Sequence, residues 1–518
     1  MKEKTKKNFF NGFLNGIERI GNKLPHPITL FAIFALAVIL LSALFSAVGL
    51  SATGEFVNRT AGTVEVQTVV TKSLLTREGI LYMFTKAISN FTGYAPLGIV
   101  LVAMLGVGVA ESSGFITAVM RRTVQVTPRQ LITPTIIFLG VMSNIASDVG
   151  YIVLIPLGAL MFMAYDRHPL AGIAAAFAGV SGGFSANLLI GTLDPLLSGI
   201  SNEAVKMVDS AYVVNPTGNI FFMMPSVLLI TVLGTLVTEK IVEPRLGTYR
   251  GSADKDAFHK QDVSVNEKKA LKAATLTLFG MIAGLVIVCI PSDSLFRNPE
   301  TGSLLGSSPL IASIIILVAI FFLVPSVVFG FVSGTYKSDK DVCAALAKSM
   351  AHMSGYIALA FVASQFINYF GYTNLGTILA LNGAALFKTM GIGPIPLMIL
   401  FVLFSAFLNL FMGSASAKWA ILAPVFVPMF VLLGYTPEMS QVAFRIGDSC
   451  TNIITPMMSY FAMIVVFVQE YDDEAGMGTL TSMMLPYSVV FLVGWTLMLI
   501  VWIIFNLPLG PGGIGMYL

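Results

Sequence analysis

Apolar runs of about 20 residues recur along the whole sequence, the length of helix needed to cross a hydrocarbon core. A soluble domain carries roughly 25% charged residues. Here 11% of 518 residues are charged and 56% are hydrophobic, too little polar surface to hold one large globule in water. Runs of this kind also exclude a porin-like barrel, whose strands alternate apolar and polar residues. The pattern predicts an all-α polytopic membrane protein.

Nine segments are long and apolar enough to cross: 27–50, 93–114, 169–200, 220–238, 273–291, 309–334, 350–380, 438–466 and 480–506. Two more, 130–165 and 394–433, are apolar but carry Pro, Gly, Ser and a charge near their centres. A straight membrane helix would expose those groups to lipid, which is costly for each unsatisfied one. Both read as re-entrant hairpins, with a pair of ordinary helices each as the alternative. With the N-terminus inside, most of the 30 Lys and Arg fall on the inner side. Lys2, Lys4, Lys6, Lys7, Arg121, Arg122 and the loop from Lys240 to Lys272 are among them. That is the positive-inside bias. The chain divides into a cytoplasmic segment 1–26, a first membrane half 27–238, a cytoplasmic linker 239–272, a second half 273–506 and an outer tail 507–518.

Shifted against itself by 268 residues, the chain matches Pro156 with Pro424, Phe162 with Phe430, Pro169 with Pro437, Gly179 with Gly447 and Ser181 with Ser449. An odd number of crossings separates the two hairpins, so one enters from inside and its copy from outside. That is an inverted-topology repeat, the architecture of many alternating-access transporters. Polar breaks recur in both copies. The hairpin turns carry Ser143 to Asp148 and Gly413 to Lys418. The following helices are interrupted at Gly182 to Asn187 and Gly447 to Asn452. Unwound backbone at membrane depth must be buried in protein or line a watery cavity. Oxygens of Ser143, Asn144, Ser185, Asn187, Ser414, Thr451 and Asn452 suit a small hard cation, and half-helix N-termini favour an anionic group. Helix packing by small residues is the plainer reading.

Charges within the spans mark pathways or ion pairs. Arg445 and Asp448, three apart, share a helical face and can form a salt bridge. Alternatively, Arg445 offers a planar fork to a substrate carboxylate, with an Asp as proton carrier. Asp194 is the preferred carrier, because an Arg beside Asp448 would hold that carboxylate ionised. Asp148 and Lys418 occupy the two hairpin turns, where a pairing across the pseudo-two-fold axis is one reading. Trp419 reads either as a stacking surface or as an interfacial anchor.

Several classes are excluded. A net charge of +3 without a basic cluster excludes nucleic acid as a partner. Cys289, Cys343 and Cys450, and His26, His168, His259 and His352, are scattered, so no disulfide framework, catalytic metal or other cofactor is expected. Ser416 and Ser449 have no nearby His base, so a membrane-embedded enzyme is the weaker alternative. An ion channel needs a continuous pore, which an inverted repeat with broken helices does not suggest.

Four motifs carry a family resemblance: Asn22-Lys-Leu-Pro-His-Pro27, the run Gly172 to Pro195, Gly413-Ser-Ala-Ser-Ala-Lys-Trp419, and Arg445-Ile-Gly-Asp-Ser-Cys-Thr-Asn-Ile-Ile-Thr-Pro456. Together they resemble the p-aminobenzoyl-glutamate transporter (AbgT) family from about Leu14 to Pro511. The resemblance implies a homodimer in a bacterial inner membrane, with nine membrane helices and two hairpins per subunit. It implies ion-coupled import of p-aminobenzoyl-glutamate, or export of p-aminobenzoate-like folate precursors and sulfonamides. The substrate class is a small aromatic organic anion, with another small organic anion as the alternative. The coupling ion is a proton, with Na+ as the alternative. By the same resemblance, pathway residues fall on Asp194, Ser416, Trp419, Pro437, Arg445, Asp448 and Pro456.

Overall fold

The computed structural model describes residues 25–58, 63–146, 150–249, 263–304, 308–511, 513 and 515–518. Asp148, most of the N-terminal segment and the centre of the 239–272 linker lie outside the described residues.

The architecture is helical, as the apolar runs require. Among the described residues, seven helices are long and apolar enough to cross a membrane, and the bent pair Asp339–His352 and Ser354–Tyr372 adds one more. Ala415–Leu432 passes that test but is one arm of the second hairpin. Two further crossings fail the test as single helices because each is broken. The first runs from Pro169 to Gly182, unwinds, and resumes at Leu193–Val205; the second pairs Pro437–Asn452 with Phe461–Gln469. The nine expected crossings are thereby accounted for.

Both hairpins are re-entrant. The first has arms Ile132–Ser143 and Gly150–Ala164, and its two ends meet. Arg129 donates to the Tyr165 carbonyl at 3.3 Å, and Arg167 to Thr133 Oγ1 at 2.8 Å. At about 1.5 Å per residue, neither arm reaches across a core of about 30 Å. The second hairpin has arms Pro394–Asn409 and Ala415–Leu432. Met429, near its end, lies against Gly383 in Leu375–Thr389, the helix just before its first arm.

Loop contacts fix which loops share a side. At the base of the first hairpin, Arg167 pairs with Glu243, and the His168 and Tyr471 rings both pack on Tyr249. At the opposite end, Lys72 bonds to Thr373, Phe221 to Leu509, and Thr436 to Met516. The two hairpins enter from opposite sides, and the halves are inverted.

The repeat is visible in the packing. A Cβ on Gly179 would lie 2.4 Å from the Ile137 carbonyl oxygen, and one on Gly447 2.3 Å from that of Val402. Each glycine lets its broken helix touch the first arm of its own hairpin. The glycines are 268 positions apart and the carbonyls 265, and the register changes between the arms, in the turns.

Three features depart from the sequence reading. Strands β1 (Ser51–Asn58) and β2 (Thr63–Val70) form an antiparallel hairpin outside the helical core. The second crossing begins at Arg77, in a polar helix ahead of the apolar run. The second break falls after Asn452, because Gly447 to Asn452 continue the helix and the unwound stretch centres on Pro456.

Candidate functional site

Four charges meet in the protein interior where the hairpin tips and broken helices converge. They pair differently from the expectation of a shared helical face. Arg445 reaches across the pseudo-axis: its Nη1 lies 2.7 Å from Asp194 Oδ1, and its Nη2 donates to the Ser185 carbonyl at 2.8 Å. Asp448 instead pairs with Lys418, and both are only 1% exposed. Lys418 also donates to Asn409 Oδ1. The i, i+3 spacing allowed an Arg445–Asp448 bridge, but two partners supplied by other elements win. Each charge is thus compensated, which buried ions need.

Asp194 lies in the first turn of Leu193–Val205, where the helix N-terminus favours a carboxylate. Its Oδ2 accepts from Asn187 Nδ2 at 2.8 Å and from the Gly191 N–H at 2.7 Å. The preference for Asp194 as proton carrier loses its premise, because the arginine sits on Asp194. Protonating that carboxylate would strand a buried guanidinium.

Trp419 is wholly buried behind the tip of the second hairpin. Its Nε1 donates to Ser201 Oγ at 3.0 Å and to the Leu197 carbonyl at 3.2 Å, and its ring packs on Phe444 at 4.8 Å. Ser201 also accepts from Gln441, which accepts from Asn219. The indole holds the hairpin against the first broken helix and is neither an interfacial anchor nor an open stacking face in this conformation.

Each hairpin tip grips the helix that follows it through an asparagine. Asn144 Nδ2 donates to the Gly183 carbonyl at 3.2 Å. Asn409 Nδ2 lies 2.6 Å from the Asp448 carbonyl, 2.8 Å from Thr451 Oγ1 and 2.9 Å from Asn452 Oδ1. Ser185 and Ser449 join the two halves through a backbone N–H to hydroxyl bond.

Beside this charged core lies a cavity of about 330 Å³, in the range of about 300–1,000 Å³ for small-molecule sites. Ser414, Ser416 and Asn452, from the expected set, line it, with Phe184 and Thr192 from the first break. The opposite wall comes from Val100 and Met104 of the second crossing and Met353 and Tyr356 at the bend of the seventh. Tyr151 and Tyr460 stack on each other at 4.6 Å on its rim. The Tyr356 hydroxyl is buried and has no hydrogen-bond partner among the described residues. Of the other expected residues, Ser143 and Asn144 form the first hairpin tip, Pro456 lies in the second break, and Pro437 starts the second broken helix at its far end. Asn409 and Tyr356 carried no distinguishing signal within their apolar runs.

An inverted pair of hairpins and broken helices beside a cavity is the architecture of a secondary membrane transporter. Residues 12–517 match the AbgT putative transporter family, and the chain belongs to that family. It is 38% identical over 496 residues to the p-aminobenzoyl-glutamate transport protein of Escherichia coli (strain K12), covering 96% of this chain and 95% of that one. Among solved structures, it resembles the Neisseria gonorrhoeae MtrF, described as illuminating a class of antimetabolite efflux pumps. The TM-score is 0.91 at 45% identity, over 97% of this chain and 99% of that one. It also resembles the Alcanivorax borkumensis YdaH transporter, with a TM-score of 0.88 at 44% identity over 94% of this chain and 100% of that one. The chain is a multi-pass membrane transporter and not an enzyme.

Proposed function

We propose that this transporter carries p-aminobenzoyl-glutamate or a related folate precursor or antimetabolite, such as p-aminobenzoate or a sulfonamide, across a bacterial inner membrane by ion coupling. The observation that carries the reading is the cavity. Phe184 and the tyrosines offer faces for a benzoyl ring, while Ser414, Ser416 and Asn452 offer hydrogen bonds to its polar substituents. Its position between the hairpin core and the wall formed by the second and seventh crossings supports alternating access by movement of one against the other. The name of the Escherichia coli relative, a p-aminobenzoyl-glutamate transport protein, favours the same chemistry, and the description of the Neisseria gonorrhoeae relative supports antimetabolites as cargo.

A proton is the favoured coupling ion, with Na+ the alternative through the Ser143, Asn144, Ser185 and Asn187 loops. The two carboxylates of the charged core, Asp194 and Asp448, are the candidate carriers. The subunit assembles as a homodimer, with its N-terminus cytoplasmic and its C-terminus periplasmic.

Purified protein in proteoliposomes tests these assignments. Labelled p-aminobenzoyl-glutamate and a sulfonamide are offered in each direction under imposed proton and Na+ gradients. Saturable, gradient-driven flux of either compound is expected. Flux of an aliphatic dicarboxylate with neither aromatic compound moving would overturn the substrate class.

A further inference from the structure

We propose that Glu438 is a proton-binding acid, outside the charged core, whose proton keeps the end of the protein opposite the base of the first hairpin closed. The residue is 0% exposed and lies in the first turn of the second broken helix. Tyr212 donates to its Oε2 at 2.8 Å, whereas Oε1 is buried without a hydrogen-bond partner among the described residues. The carboxyl is covered in two layers. A Cβ on Gly218 would lie 2.8 Å from Glu438 Cγ and 3.4 Å from Oε1, so bare backbone rests on the side chain there. Gly510 of the C-terminal tail rests on Gly218 in turn, since its Cβ would lie 2.6 Å from the Gly218 carbonyl oxygen. The tail is tied on both sides: Leu509 accepts from the Phe221 N–H at 2.9 Å, and Met516 from the Thr436 N–H at 3.1 Å.

An ionised carboxylate in such a place needs a cation or several donors. Tyr212 is the titratable group bonded to it. Charges on the surrounding elements are engaged elsewhere: Arg445 with Asp194, Lys418 with Asp448, and Lys206 with Glu203. Asp209 accepts the Ala211 and Tyr212 N–H groups. Ile220–Val237, Pro394–Asn409, Met477–Ile504 and the tail 507–518 carry no charged side chain. The N-terminal N–H groups of its own helix leave Oε1 unfilled, and Thr436 Oγ1 takes that of Met439 at 3.4 Å. A second buried acceptor, Asn219 Oδ1, also lacks a partner among the described residues, one position on from Gly218. A proton on Oε1 turns one of these two acceptors into a donor. The neutral acid suits the closed cover, whereas the ionised form requires water, which enters by lifting Gly218 and the tail. That movement reaches the hairpin core. Asn219 donates to Gln441 and Gln441 to Ser201, each at 2.7 Å, and Ser201 accepts from Trp419 at 3.0 Å.

Neither cargo nor driving ion enters this assignment, so its test needs no substrate. Full-length protein in nanodiscs is compared with Glu438→Gln, which keeps the shape of the neutral acid, by infrared difference spectroscopy at stepped pH. Wild type minus variant should show the carbonyl stretch of an un-ionised carboxylic acid at neutral pH, replaced by carboxylate bands as pH rises. Carboxylate bands already complete at neutral pH would overturn the proposal, as would an acid band that persists at every pH the protein survives. Hydrogen exchange read by mass spectrometry tests the link to opening. Segments 206–219 and 507–518 should exchange equally in the two proteins at acid pH, and several-fold faster in wild type once its carboxylate bands appear. A ratio that does not change with pH would overturn the proposal. Glu438→Gln should fold as wild type does; its failure to fold would equally overturn it, because a neutral side chain would then not fit the closed cover.

Discussion

Arg445 binds Asp194, on the opposite half of the repeat, at 2.7 Å, and leaves Asp448, three residues along its own helix, to Lys418. The pairing makes the arginine a cross-link between the two broken helices. It also removes the guanidinium from the cavity wall, so substrate carboxylate would have to compete with Asp194 to reach it. Breaking a buried pair by removing one partner costs about 3–5 kcal/mol, because the other charge is left uncompensated. Asp194→Ala and Arg445→Ala should each lose stability of that order in thermal unfolding of the purified protein. The double variant should lose clearly less than the sum of the two. Arg445→Lys should fall between, since an ammonium cannot span Asp194 and the Ser185 carbonyl together. Additive losses in the cycle would show that the two side chains are not energetically coupled.

The elements best read from sequence are those whose signal is local. Runs near 20 residues mark crossings, and a Ser-Asn or Gly-Ser-Ala-Ser cluster inside such a run marks a hairpin turn, because lipid cannot satisfy it. The inversion follows from counting crossings and agrees with Gly179 and Gly447 meeting equivalent carbonyls. Charge pairing was not legible in the same way. The spacing of Arg445 and Asp448 describes one helix only, whereas Asp194 is brought in by the packing of the other half. The β1–β2 hairpin was masked for a different reason: the alternation in Thr63–Val70 is a period-two signal, and the search for apolar runs does not register it. Tyr356 is one aromatic residue in an apolar helix, and only the fold shows that it lines a cavity and that its buried hydroxyl has no hydrogen-bond partner among the described residues.

That hydroxyl gives a prediction about ligand contact. Removing a group with no protein partner leaves nothing unsatisfied, so Tyr356→Phe should fold at least as well as wild type. A hydrogen bond to bound substrate contributes about 0.5–1.5 kcal/mol, so the variant should bind roughly 2- to 12-fold more weakly. Isothermal titration against p-aminobenzoyl-glutamate, alongside thermal unfolding, checks both halves of the expectation. Unchanged affinity would remove Tyr356 from the substrate site.

The two repeat glycines should fail alike. Ala is normally the better helix former, by about 1 kcal/mol over Gly, so Gly→Ala in an open helix is favourable. At Gly280, where nothing lies within 4 Å of an added Cβ, that gain should appear. At Gly179 and Gly447 the methyl group would lie 2.4 and 2.3 Å from carbonyl oxygens, and the helix must shift away from its hairpin. Overpacking of this kind costs about 1–3 kcal/mol. Thermal unfolding should therefore rank Gly280→Ala at or above wild type and both other variants below it. A tolerated Gly447→Ala beside a damaging Gly179→Ala would break the claimed equivalence.

His168 supplies a pH-dependent term at the base of the first hairpin. Its Nδ1 accepts from the Leu170 N–H at 3.2 Å and caps the first broken helix, so the capping form is the neutral ring. Burial lowers its pKa from the ordinary value of 6.5, and Glu243 and Asp472 oppose that shift without cancelling it. An imidazole that binds its proton less readily folded than unfolded favours the folded state above the unfolded pKa. That contribution is lost as pH falls below about 6.5 towards the lower folded value, because the unfolded chain takes up the proton first. Wild type should therefore lose thermal stability between neutral pH and the region below 6.5. His168→Asn keeps an N-cap acceptor that does not titrate, so it should retain the cap and show a shallower dependence over the same window. Equal slopes for the two proteins would mean that His168 contributes nothing to the acid limb, and a steeper slope in the variant would reverse the sign argued here.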